Sequence, residues 1–363
     1  MERWRLLDLG KPEPYIAQAF YEAVAEAVHE CSSKNTLILL QPGNPYACLG
    51  YHQDLLKEID VEFCRAIGLP IIRRGQGGGA TYLDGNQVFY QIVARNSEAV
   101  PHDVEGMFKR LLSVTVETYR RFGLDAQFKP LNDVVVGNKK ISGNGAGVHE
   151  SASILVGNVI LDLDYDMMAR VLKVPDEKFR DKMTKSMRDW VTSLRGELGI
   201  VPDAERVKET YSEAFQRILN IELEKMEPSD LEWKIFNEEV KPRHMSREWL
   251  YMEPPISSTR RGRSVKIAGD VKVVESDHKA RKLIRVRAEV KGDEILGIQI
   301  RGDYFAVPEQ AMTRLEESLQ GVRLNEASIS QAVESFYNET KVQTPGIGVA
   351  DFTSAVMKIR ELL

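Results

Sequence analysis

Residues 73–85 read RRGQGGGATYLDG, with four glycines in five positions directly behind two arginines. Glycine loses more backbone freedom on ordering than any other residue, so such a run needs a reason in the folded state. A P-loop requires a Lys-Ser/Thr pair closing the loop and a helix behind it, whereas Ala80-Thr81 stands at that point. The dinucleotide fingerprint is met loosely by Gly75, Gly77 and Ala80. The residues behind it, TYLDGNQVFYQI, alternate like strands and do not open a helix. A flexible linker is excluded by the apolar β segments on both sides. The remaining reading is a strand–glycine–strand hairpin whose backbone N–H groups form an anion-binding nest, with Arg73 and Arg74 adding fixed positive charge. A plain structural turn is the competing reading.

Around this stretch the chain alternates strands and helices. LPIIRR feeds the glycine run and QVFYQIVA leaves it. Asp103 opens a long amphipathic helix, and a helix over roughly 54–66 ends at Gly68. Farther on, NDVVVGNKKISGNG at 132–145 carries Gly137-Asn138 between two short β runs, a tight-hairpin signal. A two-residue turn there puts Lys139 and Ile141 on one strand face, and Lys140 and Ser142 on the other. Two solvated lysines at a hairpin tip are the bland alternative. GNGAGVHES at 143–151 has its glycines at the wrong spacing for a nucleotide loop.

At 363 residues, 43% hydrophobic and 28% charged, the chain has the make-up of a soluble two-domain protein. The net charge of -5 gives no overall field favouring nucleic acid or anionic membrane. No apolar stretch approaches the roughly 20 residues of a membrane span, and MERWRLLDLGKPEP has no signal-peptide core, so a cytoplasmic protein is expected. The three cysteines (Cys31, Cys48, Cys64) and six histidines form no metal-ligand pattern. A domain boundary is expected near EPPISS at 253–258, between a larger domain over 1–250 and a small α+β domain over 256–363.

RRGQGGGATYLDGNQVFYQI, NDVVVGNKKISG and KSMRDWVTSL, in this order and at these separations, resemble the lipoate–protein ligases of the biotin/lipoate ligase superfamily. WRLLDLG, GNVILDLDY and EVKGDEILGIQIRGDYF extend the likeness over nearly the whole chain. The resemblance implies an α/β (α+β) catalytic domain with mixed sheets flanked by helices, plus the small C-terminal domain. It implies a reaction in which lipoate and ATP give lipoyl-AMP and pyrophosphate, and the acyl group then passes to a lysine of an acceptor. That acceptor would be a lipoyl-domain or glycine-cleavage H-type protein, and a monomeric enzyme is expected. Mg²⁺ would arrive with ATP, held by phosphate oxygens and water, with no metal site of the protein's own.

By the same resemblance Arg74 and the backbone of Gly77, Gly78, Gly79, Ala80, Thr81 and Tyr82, with Arg73 beside them, would hold the nucleotide phosphate and close over the acyl chain. Lys140 would be the catalytic residue, contacting both the acyl carboxyl oxygen and the α-phosphate, with Ser142 and Gly143 completing its motif. Asn132 and Asp133 match the family's Asn-Asp pair. Ser186 and Arg188 lie in a segment that reads either as a loop ordering over the adenylate or as a charged helix end followed by a strand. Where relatives carry a histidine before the glycine of VGNVILDLDY, this chain has Val156, and His149 is one candidate replacement. Octanoyltransferases of the same fold use a cysteine nucleophile near or after the lysine, whereas every cysteine here lies at or before Cys64. A DNA-binding module on this fold could use Arg243, Arg247, Arg260, Arg261 and Arg263, but the sequence shows no helix-turn-helix.

Overall fold

The computed structural model describes residues 1–95, 97–174, 177–252, 264–268 and 270–363. They fall into two compact units. One comprises Met1–Leu49, Leu55–Gly75 and Ala80–Leu250; the other comprises Tyr251–Leu363 together with the loops Gly50–Asp54 and Gln76–Gly79. The boundary expected near 253–258 lies outside the described residues, as do Arg260, Arg261 and Arg263.

The strands of the first unit are β1 (Glu2–Asp8), β2 (Thr36–Leu40), β3 (Tyr46–Leu49), β4 (Ile71–Arg73), β5 (Thr81–Leu83) and β6 (Gln87–Ala94). After the Val104–Arg121 helix come β7 (Ala126–Lys129), β8 (Asp133–Val136), β9 (Lys139–Ser142), β10 (Asn144–His149), β11 (Ala152–Ile160) and β12 (Ile221–Met226). Six of these build a mixed central sheet in the order β10-β11-β6-β2-β1-β12. β1 runs parallel to β2 and β12, and the remaining pairs are antiparallel.

TLILL and QVFYQIVA are buried along their whole length, as expected of strands covered on both faces. On one face the Pro14–His29 helix packs Phe20 and Val24 over Ile38, Leu40, Phe89 and Val93. On the other face lie the Val104–Arg121 and Ala204–Leu219 helices. Tyr211 stacks on Tyr90 at 4.5 Å, and Phe215 meets Trp4 edge-on at 5.6 Å. Asp103 caps the first of these helices through Gly106 N–H, and Asp203 caps the second through Arg206 N–H.

Two three-stranded sheets, β4-β3-β5 and β7-β8-β9, complete the unit. The first corrects the expected hairpin. β4 lies parallel to β3 (Leu49↔Arg73) and β5 antiparallel to it (Cys48↔Thr81), so the glycine run joins two strands that do not pair with each other. The buried segment Tyr46–Leu49 offers an edge to each neighbour. The helix expected over 54–66 is two short ones, Leu55–Glu58 and Val61–Ala66, and Gly68 comes just after them with φ +68°.

The second unit is an antiparallel meander of β13 (Ser264–Ala268), β14 (Val271–Lys279), β15 (Leu283–Lys291) and β16 (Glu294–Gly302). The expected Gly292-Asp293 turn joins the last two strands, with Gly292 at φ +62°. Val286, Ile298 and Ile300 form its core with Leu315, Phe336 and Phe352 from the three helices after the sheet.

Candidate active site

The β8–β9 hairpin turns at Gly137 (φ +56°) and pairs Val136 with Lys139 and Val135 with Lys140. The next pair is Val134 with Ser142, so Ile141 is the extra residue of a β-bulge. The bulge overturns the simple alternation expected for Lys140 and Ser142. Lys140 stays half-exposed and its Nζ lies 2.6 Å from Asp133 Oδ1, whereas Ser142 is fully buried.

Beneath the hairpin is a buried polar network that the sequence did not announce. Tyr90 OH donates to Asn144 Oδ1 and accepts from Thr115 Oγ1 at 2.8 Å. Asn144 and Asn132 exchange amide-to-carbonyl bonds of 3.0 and 2.7 Å. Ser142 Oγ donates to Asn158 O at 2.7 Å, and Gly143 N–H donates to Asn158 Oδ1 at 2.8 Å. Burial, opposed by the bonds to Ser142 and Thr115, pushes the Tyr90 phenol up to about 12, which keeps it a neutral donor. Ser142 and Asn132 therefore hold the Lys140 hairpin to the central sheet from inside. The signal available in the sequence was a tyrosine and two glutamines inside an otherwise apolar strand.

The same network explains Gly157. A Cβ there would stand 2.2 Å from Asn144 Oδ1 and 2.5 Å from the Tyr90 ring. Gly157→Ala should lose about 1–3 kcal/mol of stability by overpacking, read from the urea midpoint. An unchanged midpoint would show that this network has slack.

The KSMRDWVTSL segment ends the Glu177–Trp190 helix, makes a single bridge at Val191 and, in place of the strand of the second reading, runs into the Leu194–Leu198 helix. Ser186 and Arg188 lie exposed on the Glu177–Trp190 helix. Past its end, Val191 bridges Lys140 in parallel, and Thr192 N–H donates to Lys140 O at 2.8 Å. The Arg188 guanidinium sits 4.5 Å over the Tyr165 ring, and Ser186 lines a groove of about 440 Å³ with Met183, Met187, Trp190 and Val191.

The two arginines of the opening motif separate. Arg73 departs from the expectation of an anion ligand: it is fully buried, and its Nε and Nη2 donate to Trp249 O (3.0 Å) and Leu250 O (2.8 Å). Trp249 Nε1 donates back to Arg73 O at 2.9 Å. The planar fork thus closes the end of the Arg247–Tyr251 helix. Arg74 is only half-buried; its N–H donates to Leu49 O at 2.9 Å and its Nη1 to Cys48 Sγ at 3.4 Å.

Gly75 lies against Glu22, whose Oε1 would be 2.8 Å from an added Cβ. Glu22 accepts from Tyr21 OH and pairs with His244 Nε2, each at 3.1 Å, and also with Arg243. Burial alone would raise its carboxyl, but His244, Arg243 and Tyr21 together lower it to about 2. A folded-state value below the ordinary 4.5 means stabilisation present above pH 4.5 and lost as the pH falls towards 2, on the order of 3 kcal/mol. Glu22→Gln should therefore be clearly less stable than the parent at pH 7, with the gap closing below pH 4.5. A pH-independent gap would contradict this.

In the second unit, Gly78 (φ +98°) donates its N–H to Tyr304 O at 3.3 Å, and a Cβ on Gly77 would stand 2.3 Å from that same oxygen. Tyr304 stacks on His52 at 4.7 Å. Gly79 is exposed with open space around it. Ala80 and Thr81 are half-buried at the start of β5, and Tyr82 is buried. Burial, helped by Asp84 and Asp164, pushes the Tyr82 phenol up to about 12. His149 stands at the far end of β10, paired with Ala152 and held by Glu26, while Val156 sits opposite Gly145.

Burial raises the Cys48 and Cys64 thiols, the latter to about 11, and Cys31 is exposed beside Arg95. Among the described residues no three His, Cys, Asp or Glu side chains are grouped to hold a metal ion.

The pattern describing the lipoyl protein ligase A/B catalytic domain matches residues 13–216, and that of the bacterial lipoate protein ligase C-terminus matches residues 283–355. Lipoate-protein ligase A subunit 1 of Thermoplasma acidophilum is 30% identical over 211 residues, covering 55% of this chain and 79% of that protein. The octanoyltransferase LipM of Kyrpidia tusciae is 28% identical over 275 residues, covering 69% of this chain and 99% of its own. Among solved structures, the bi-partite lipoate protein ligase of T. acidophilum superposes with a TM-score of 0.62 at 26% identity, over 71% of this chain and 100% of that one. The chain belongs to the lipoyl protein ligase A/B family.

Proposed function

We propose that this protein is an ATP-dependent lipoate–protein ligase. The observation that carries the reading is Lys140, an accessible ammonium fixed on a short strand that is braced from below by the Tyr90–Asn144 network and along its edge by Thr192. Adenylation must bring a carboxylate oxygen onto the α-phosphorus as pyrophosphate leaves, which places two anions in contact. A lysine in hydrogen-bond reach of both offsets their repulsion and the charge that builds in the transition state. Asp133 holds that ammonium ready, and the incoming oxyanions take over its place. In the second step a neutral acceptor lysine amine attacks the anhydride carbonyl, the amide forms and AMP leaves, with no protein nucleophile required.

Mg²⁺ enters with ATP as part of the substrate. The solved T. acidophilum relative is described together with an E2 lipoyl domain, which supports a lipoyl-domain acceptor here; a glycine-cleavage H-type protein offers the same kind of lysine. We read the enzyme as a cytoplasmic monomer, and none of the helices among the described residues is long and apolar enough to cross a membrane.

Octanoyl transfer is the second reading, favoured by the full-length likeness to LipM. Against it stand the cysteines: the two buried thiols are pushed away from the reactive thiolate, and none lies after residue 64. The C-terminal region also favours the ligase. LipM is covered almost completely by 69% of this chain, while residues 283–355 match a lipoate ligase C-terminus. Lipoate-dependent ATP–pyrophosphate exchange by the purified protein is the expected result. ATP-independent octanoyl transfer between carrier and lipoyl domain, without exchange, would replace this reading with the second.

A further inference from the structure

A lysine's ammonium is placed only as well as the strand that carries it. β9 is four residues long, bulged at Ile141, and bonded to β8 along one edge only. Its other edge is held by Val191 and Thr192. That rung in turn rests on three bonds. Val191 N–H donates to Met187 O (2.8 Å), Thr192 Oγ1 donates to Glu197 Oε1 (2.7 Å), and Tyr165 OH donates to Val191 O (3.0 Å).

Tyr165 differs from the other two partners because its ring also carries the Arg188 guanidinium at 4.5 Å. It is the first residue of the Tyr165–Val171 helix, whose start is fixed by Asp164 accepting from Met167 N–H at 2.9 Å. One half-buried side chain thus touches both the rung beside Lys140 and the arginine one turn before it.

Resting on the ligase reading above, we propose that Tyr165 is a positioning residue: its hydroxyl fixes the 191–192 rung, and so the Lys140 strand, while its ring holds Arg188 ready for a nucleotide anion. The two roles reside in different atoms and can be separated. Tyr165→Phe keeps the ring and loses the bond to Val191 O. Tyr165→Leu loses both.

Two measurements on the full-length protein test this. The first, hydrogen exchange at the Thr192 amide, does not depend on activity. It should quicken about fivefold in Tyr165→Phe, the factor expected for losing one neutral hydrogen bond, with the Ile160 amide as an unchanged reference. The second is lipoate-dependent ATP–pyrophosphate exchange. Tyr165→Phe should lower kcat about fivefold with KM for ATP unchanged, and Tyr165→Leu should in addition raise that KM about threefold. Failure of the parent protein to catalyse the exchange would remove the ligase reading, while Thr192 protection would still decide whether Tyr165 fixes the rung. Unaltered Thr192 protection in Tyr165→Phe, or identical kinetic changes in both variants, overturns the proposal.

Discussion

Lys140→Ala should lower the rate of lipoyl-AMP formation by about 10² to 10³, the usual loss when one charge-stabilising contact to a transition state is removed. The fold should survive. The Lys140–Asp133 pair is 36% and 33% exposed at its side chains, and pairs in that setting contribute only about 0–1 kcal/mol. Activity should therefore collapse at a nearly unchanged melting temperature. Lys140→Arg should not restore it, because a planar five-donor fork cannot take the place of a compact ammonium between two oxyanions. Lys139, opposite Val136 at the hairpin turn, is the internal control, and Lys139→Ala should stay close to the parent. The reverse pattern, with Lys139 required and Lys140 dispensable, would move the proposed chemistry to the other lysine.

The lysine and its hairpin were legible in the sequence because a Gly-Asn turn between two short β runs is a local signal. The bulge was not. It depends on Ser142 being drawn into bonds with Asn158 and the Tyr90 network, and nothing within a few residues of Ile141 announces that partner. The glycine run shows the same limit. Its flanking strands were readable, but their joint partner β3 lies more than twenty residues upstream, and pairing across such a distance leaves no trace in alternation. Arg73 and Arg74 are adjacent and chemically alike, yet only one is buried. What separates them is Trp249 and Leu250, about 176 residues later. NGAGVH, the β10 segment, has little intrinsic strand preference and is held in the sheet by β11. Local periodicity and turn residues marked most of the elements, whereas which strand each one pairs with was set by residues far along the chain.

The largest stability effect should come from a different long-range contact, the pair between Arg5 on β1 and Glu232. Their side chains are 4% and 0% exposed. Glu232 Oε2 accepts from Arg5 Nη1 (3.2 Å) and Ser229 N–H (2.7 Å); Oε1 accepts from Ser33 Oγ (3.0 Å) and Arg5 Nη2. Ser229 Oγ accepts from Glu232 N–H, completing a capping box on the Asp230–Ile235 helix. Burial alone would raise this carboxyl, yet the Arg5 and Ser229 bonds hold it below the ordinary carboxylate value. Its stabilisation is thus present above that value and lost as the pH falls through the depressed one. Glu232→Ala leaves a buried guanidinium without its anion and should cost about 3–5 kcal/mol in urea unfolding at pH 7. Glu232→Gln, which keeps the shape and part of the bonding, should cost less. Replacing both partners, Arg5→Met with Glu232→Leu, should recover much of the loss, because no uncompensated charge then remains in the interior. A cost under about 1 kcal/mol for Glu232→Ala would mean that water reaches Arg5 and that the pair is not sealed. The consequence for activity runs along the chain: the helix this carboxylate starts leads on to His244, Trp249 and Leu250, which hold Glu22 and Arg73 at the base of the glycine run. Glu232→Ala should therefore weaken ATP–pyrophosphate exchange only as far as it unfolds the protein, so that activity and folded fraction fall together with temperature, unlike in Lys140→Ala, where activity is lost from a folded chain.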